Sequence, residues 1–259
     1  GVGIVIPGMV DRKTGRVLNS PQLGWRDVDI REALAAATGM RVFIENAPIS
    51  SALAHMWLSP QRRGDAGDNL AYVAVSDGVG VGLVINGEVL RGHNETAGEF
   101  GHLPLNLDGP QCLCGLRGCW EAYTSNVATL ARYFHLDPSD PRTREHVRQS
   151  GFGLPDLIER ARAGDDVAHA ALEETGRYLG IGLASIVSAF NPARIIVGGE
   201  ITAAWDLIGW IVEHAARERA LTAAAAATPI LPAPDAELTR LRGATALLVA
   251  RSFAAPKLA

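Results

Sequence analysis

The stretch that most constrains this chain is residues 98–121, GEFGHLPLNLDGPQCLCGLRGCWE, which holds all three cysteines of the sequence. His102, Cys112, Cys114 and Cys119 offer one imidazole and three potential thiolates, a donor set that suits a closed tetrahedral zinc site with no open position for chemistry. Cys112 and Cys114 are separated by one residue, and Gly115 and Gly118 allow the backbone to turn back so that Cys119 reaches the same ion. Disulfide pairing and free or redox-labile thiols are the competing readings. Three cysteines cannot all pair with one another, and no secretory signal opens the chain. His93 lies outside the set, which is complete without it, and reads as a loop histidine.

The chain has 259 residues, enough for one large domain or two modest lobes. With 47% hydrophobic and 20% charged residues it has the balance of a soluble protein, and no apolar run approaches the roughly 18 residues that cross a bilayer. A net charge of -4 argues against a broad nucleic-acid surface on this segment. The expected location is the cytoplasm, with no membrane partner.

The run Gly98-Glu99-Phe100-Gly101-His102, the CxCGxxGC segment from Cys112 to Cys119, and Trp120-Glu121 closely resemble the signature of the ROK family of sugar kinases, repressors and related open reading frames. That resemblance implies a two-lobed α/β fold of the actin-like ATPase and sugar-kinase (ribonuclease H-like) type, with structural Zn2+ on His102, Cys112, Cys114 and Cys119. It makes Glu99, His102 and Glu121 candidate sugar contacts, joined by Asn46, in a cleft between the lobes. The chemistry is sound on its own terms, since carboxylates accept hydrogen bonds from vicinal hydroxyls and a metal-bound imidazole has a second nitrogen with which to orient a ligand.

Three departures from the family's kinases bear on activity. Glu45-Asn46-Ala47 stands where a triplet ending in the catalytic Asp is expected, and Ala47 cannot take a proton from an attacking hydroxyl. A positioned base is commonly worth about a hundredfold to ten-thousandfold in rate, and Glu45 is too displaced to replace it. The segment Ser76-Asp77-Gly78-Val79-Gly80-Val81-Gly82 resembles the second phosphate loop, read here as vestigial on Asp77, Gly78 and Gly80. Asp77 puts an anion where kinases carry Thr, facing the place of a triphosphate. The first phosphate hairpin and the winged helix-turn-helix of the repressors are not in the sequence, so the chain reads as N-terminally truncated.

The remaining chain alternates helix and strand. Residues 9–25 read as a loop, followed by a helix capped by Asp27 or Asp29 and stopped by Gly39. Residues 41–45 and 70–75 read as strands, 49–58 as a helix, 61–69 as a polar loop, and Asn86-Gly87 as a hairpin turn. One helix is expected from Glu121 through about Phe134, then a solvated connection over 136–150. Helices are expected over 154–163, 165–190, 203–227 and 243–253. Gly176, Gly180 and Gly182 cost helix stability in exchange for close backbone approach. RIIVGG, 194–199, reads as a strand and βα turn.

These readings divide the chain into a partial first lobe, 1–47, completed by the C-terminal helix 243–259, and a second lobe, 48–242, with the zinc loop and an oligomerisation surface. The expected function is the sugar-effector-binding part of a ROK transcriptional regulator, a repressor without catalysis, acting as a homodimer or homotetramer. DNA would be touched only through a winged helix-turn-helix outside the sequence. The alternatives are an ATP-dependent kinase of a hexose or amino sugar, and a zinc-stabilised interaction module with no small ligand.

Overall fold

The computed structural model describes residues 1–20, 22–58, 69–93, 95–233 and 236–253. The run 61–69, expected as a polar loop, lies outside the described residues up to position 68. Two compact units emerge, Gly1–Tyr72 with Gly82–Gly98 and Asp235–Ala259, and Val73–Val81 with Glu99–Pro234. This partition differs from a division after residue 47, because the helix that follows β5 packs on the C-terminal helix and stays with the first unit.

The first unit opens with β1 (Val2–Ile6), β2 (Met9–Asp11), β3 (Arg16–Ser20), β4 (Trp25–Asp29), α1 (Ile30–Thr38), β5 (Val42–Asn46) and α2 (Ala47–Leu58). β1 and β5 pair in parallel, from Val2 opposite Val42 to Ile6 opposite Asn46. β2, β3 and β4 form an antiparallel meander where the sequence suggested a loop. Val10 and Val17 explain the correction: they are buried with Ile6, Val42 and Ile44 while Met9, Asp11, Arg16 and Leu18 on either side are half-buried or exposed, so even these short runs have an inward face. Asp29 caps α1 by accepting from the Glu32 N–H at 3.3 Å, and Gly39 ends it in the left-handed conformation.

β6 (Leu70–Val75), β7 (Val79–Ile85) and β8 (Glu88–Val89) follow, the last two joined by Asn86-Gly87 with both residues at positive φ, the twist that a two-residue hairpin requires. Because β7 begins at Val79, Gly80 lies inside a strand and not in a glycine loop. Val79 and Val81 supply the buried face that draws the segment into the sheet. Only Asp77 and Gly78 of the three expected loop positions stand in the turn, which Ser76 closes by donating to the Gly78 carbonyl at 2.9 Å.

The second unit carries α3 (Trp120–Thr124), α4 (Asn126–Tyr133), α5 (Pro141–Gln149), α6 (Leu154–Arg162), α7 (Asp166–Phe190), β9 (Arg194–Gly198), α8 (Trp205–Arg217), α9 (Ala223–Ala226) and β10 (Ile230–Pro232). The strand order is β10-β9-β6-β7-β8, with β9 and β10 parallel. The single helix expected after Glu121 breaks at Ser125, whose hydroxyl caps α4 by accepting from the Ala128 N–H. The expected connection over 136–150 contains α5: Asp140 is its N-cap and Pro141 its first residue, a place where proline's missing donor costs nothing. The helix expected over 203–227 is split into a 3₁₀ turn at Glu200–Ala204, α8 and α9.

On α7 the glycines serve close packing. A β-carbon at Gly180 would stand 2.4 Å from the Val212 carbonyl oxygen on α8, and one at Gly182 would stand 1.9 Å from the Trp120 indole. The last helix, α10 (Ala236–Phe253), returns to the first unit, where Ala246 and Leu247 join Ile49 and Leu53 in a buried cluster.

Candidate metal and ligand site

The metal-binding candidates lie in the second unit, on a loop folded back on itself by backbone pairing. Pro104 bridges Cys119 and Gln111 bridges Arg117 in antiparallel fashion, while Leu105 donates to the Gly118 carbonyl at 2.8 Å and Trp120 to the Leu103 carbonyl at 2.9 Å. Gly118, at φ +69, is the one residue type this fold-back admits, since a β-carbon there would overlap the Asn106 carbonyl. The knot is anchored by Trp120, 1% exposed, whose indole N–H donates to the Tyr178 carbonyl at 2.9 Å. Sequence reasoning missed this anchor. The only signal for it was an aromatic next to Cys119 and an unusually glycine-rich α7.

His102 closes the 3₁₀ turn Phe100–His102, and one donor atom from each of His102, Cys112, Cys114 and Cys119 lies within 4.8 Å of every other. Cys112 Sγ is 3.7 Å from His102 Nδ1, and Cys114 Sγ is 3.6 Å from Cys119 Sγ. Tetrahedral ligands with metal–sulfur bonds of about 2.3 Å and metal–nitrogen bonds of about 2.0–2.1 Å are separated by about 3.5–3.8 Å, so these residues fit a metal of that coordination. All three cysteines are free thiols. Burial pushes the Cys112 thiol well above its ordinary value and Cys119 up to about 11, so a cation binding here must displace protons. His93 is exposed and outside the group.

The same knot carries three of the four expected ligand contacts. Glu99 Oε2 lies 3.9 Å from His102 Nε2, the nitrogen turned away from the sulfurs. Partial burial raises the Glu99 pKa, the His102 ring opposes this, and Glu121 adds to it. Glu121, in the first turn of α3, is already engaged: Oε2 accepts from the Val79 N–H at 2.9 Å and Oε1 lies 3.6 Å from Cys112 Sγ. The knot is thereby tied to the turn that contains Asp77. Arg144 on α5 meets that turn too, donating to the Asp77 carbonyl at 3.2 Å with its other terminal nitrogen 3.9 Å from the carboxylate.

Asn46 and Ala47 belong to the first unit, at the junction of β5 and α2. Asn46 Oδ1 accepts from the Ile49 N–H at 3.0 Å, capping α2, and Nδ2 donates to the Gly8 carbonyl at 3.2 Å. An amide so held retains one donor hydrogen and acceptor capacity for a hydroxyl. Glu45 is 1% exposed, with Oε2 2.6 Å from Arg91 and Oε1 accepting from the Asn46 N–H at 3.0 Å. Its carboxylate is committed to that pair. RIIVGG forms β9 and passes through Gly199 directly into the 3₁₀ turn, a βα connection as the sequence suggested. No described helix is long and apolar enough to cross a membrane.

The chain is similar to proteins of two kinds. The xylose repressor of Bacillus subtilis is 33% identical over 201 residues, covering 78% of this chain and 48% of the repressor. The glucokinase of Streptomyces coelicolor is 35% identical over 214 residues, covering 80% of this chain and 66% of the kinase. The chain thus spans about half to two thirds of the length of these relatives. Among solved structures, a ROK family transcriptional regulator described as a homologue of E. coli Mlc superposes with a TM-score of 0.80 at 27% identity, covering 95% of this chain and 61% of the regulator. A ROK family glucokinase from Streptomyces griseus, solved with glucose and AMPPNP, superposes with a TM-score of 0.82 at 28% identity, covering 96% of this chain and 81% of the kinase. These neighbours share the actin-like ATPase and sugar-kinase fold, which is therefore the fold of this chain. With the ROK family model matching residues 1–251, the chain belongs to the ROK family.

Proposed function

We propose that this chain is the sugar-binding part of a ROK transcriptional regulator and does not phosphorylate what it binds. The observation that carries this reading is at the junction of β5 and α2. Ala47 offers no base, and Glu45, the nearest carboxylate in sequence, is buried against Arg91. On the other unit Glu99, His102 and Glu121 remain grouped around the metal-binding candidates. A sugar or sugar derivative would be held by Asn46, Glu99, His102 and Glu121. Zinc on His102, Cys112, Cys114 and Cys119 would brace the knot, a structural role that leaves His102 Nε2 to orient a hydroxyl.

In the full-length regulator a preceding winged helix-turn-helix would contact DNA, and the assembly would be a homodimer or homotetramer. Sugar shifts operator affinity only if it binds the DNA-competent and DNA-incompetent states unequally. The similarity to xylose repressors supports this reading, and the similarity to glucokinases supports the competing one, an ATP-dependent hexose kinase. The test is a calorimetric screen of metal-loaded full-length protein against sugars, beginning with D-xylose and D-glucose, beside an assay for phosphate transfer from ATP. Sugar binding without transfer is expected. Brisk nucleotide-dependent phosphorylation would overturn the proposal, and stoichiometric zinc with no sugar bound would favour a zinc-stabilised interaction module.

A further inference from the structure

We infer that Arg91 is a positioning residue that docks the segment after β8 on the end of β5 and so fixes Asn46 for its ligand. The inference rests on the sugar-binding reading only in naming what Asn46 receives. Arg91 Nη2 is 2.6 Å from Glu45 Oε2, and Nη1 is 3.6 Å from Glu95 Oε2. Arg12, in the turn between β2 and β3, places Nε 3.9 Å from the same Glu95 oxygen. Three separated stretches of the first unit are thus tied together by two acids and two bases. The side chains of Glu45, Glu95 and Arg91 are 1%, 12% and 17% exposed, and Arg12, at 37%, brings the second positive charge to them from the surface.

Two further observations point to positioning. Glu45 Oε1 accepts from the Asn46 N–H, so the line from guanidinium through carboxylate ends on the backbone of the candidate sugar contact. Glu95 sits at φ +60, a left-handed conformation that is costly for a residue with a β-carbon, and Ala97 closes the turn by donating to the Arg91 carbonyl at 2.9 Å. A buried ion pair adds little stability over well-packed apolar residues. What a strained turn and a buried lattice supply is a fixed geometry, and here the geometry ends on Asn46.

The test uses full-length, metal-loaded protein with Arg91→Met, Arg91→Lys and Glu95→Gln. Three readouts are taken: hydrogen exchange at the amides of Asn46, Gly92 and Ala97; metal content; and calorimetric titration with D-xylose and D-glucose. Arg91→Met is expected to speed exchange at Asn46 and Ala97 at least tenfold and to weaken sugar binding at least tenfold with metal content unchanged. Arg91→Lys should recover part of both. Wild-type exchange at those amides in Arg91→Met, even with a lowered melting temperature, would overturn the inference. Should the wild type bind neither sugar, the effector reading fails, while the exchange arm still decides the docking role. Should Arg91→Met not fold, Glu95→Gln carries the test: it keeps the Glu45 pair, faster exchange at Gly92 and Ala97 supports the inference, and wild-type exchange there overturns it.

Discussion

The Glu121 carboxylate accepts a 2.9 Å hydrogen bond from the backbone N–H of Val79, forty-two residues away in sequence, while its other oxygen lies 3.6 Å from Cys112 Sγ. One side chain therefore joins the cysteine-rich knot to the Asp77 turn. Glu121→Ala removes the acceptor and leaves a buried segment with an unpaired donor, a loss of about 1–3 kcal/mol. A lowered melting temperature is expected for Glu121→Ala, with substantial recovery in Glu121→Gln, which keeps an acceptor oxygen. Equal melting of Glu121→Ala and wild type would show that the bond contributes nothing.

The contrast between what could and could not be read from the residues follows the range of each interaction. The convergence of His102, Cys112, Cys114 and Cys119 was legible because histidine and cysteine at this spacing have few other uses, and because Gly115 and Gly118 mark the fold-back. Strand β6 and helices α6 and α7 were legible from local periodicity and caps such as Asp165, which accepts from Val167 and Ala168. The strands β2 and β3 were not, since each has one buried valine beside a half-buried apolar neighbour, Met9 or Leu18, which leaves no clean alternation to read. Helix α5 was hidden because Asp140-Pro141 signals a turn and a helix start equally well. The partners of Glu45 and Glu121 were beyond reach, as Arg91 and Val79 are brought to them only by tertiary packing.

Metal binding makes a prediction about stability. A ligand present at about a hundred times its Kd adds about 2.7 kcal/mol to the folded state, so chelation should lower the melting temperature of the wild-type protein. Cys114 is exposed, so Cys114→Ser removes one donor with little loss of packing. The variant should lose most of the single metal expected per chain, measured by atomic absorption, and its melting should become insensitive to chelator. Full metal content in Cys114→Ser would remove that cysteine from the ligand set.

Glu99 gives the site a pH dependence. Its pKa is raised above the ordinary glutamate value, chiefly by burial, with His102 opposing and Glu121 adding to the shift. Below the unfolded value both states hold the proton and the group is neutral in the balance. As pH rises from there through the raised folded value, the unfolded chain ionises first, so this group's contribution to stability declines. Sugar binding should run the other way, because the ionised carboxylate is the better hydroxyl acceptor. Calorimetric affinity is expected to rise across that window in the wild type and to be flat in Glu99→Gln. An unchanged slope in Glu99→Gln would assign the titration to another group.

The last prediction concerns what a single carboxylate can restore. Ala47 is the first residue of α2, where an aspartate is favoured by the positive end of the helix, so Ala47→Asp should fold with stability within about 1 kcal/mol of wild type. Glu45 is not displaced by the change, since its oxygens are held by Arg91 and by the Asn46 N–H. A base alone does not position a triphosphate, and the turn beside Glu121 still presents Asp77, whose carbonyl is engaged by Arg144. Phosphate transfer from ATP is therefore expected to stay at background in full-length Ala47→Asp, with sugar binding retained, and the double variant Ala47→Asp, Asp77→Thr tests whether the anion is the next obstacle. Robust turnover in the single variant would mean that the phosphate-handling surface is intact and that Ala47 alone separates this protein from a kinase.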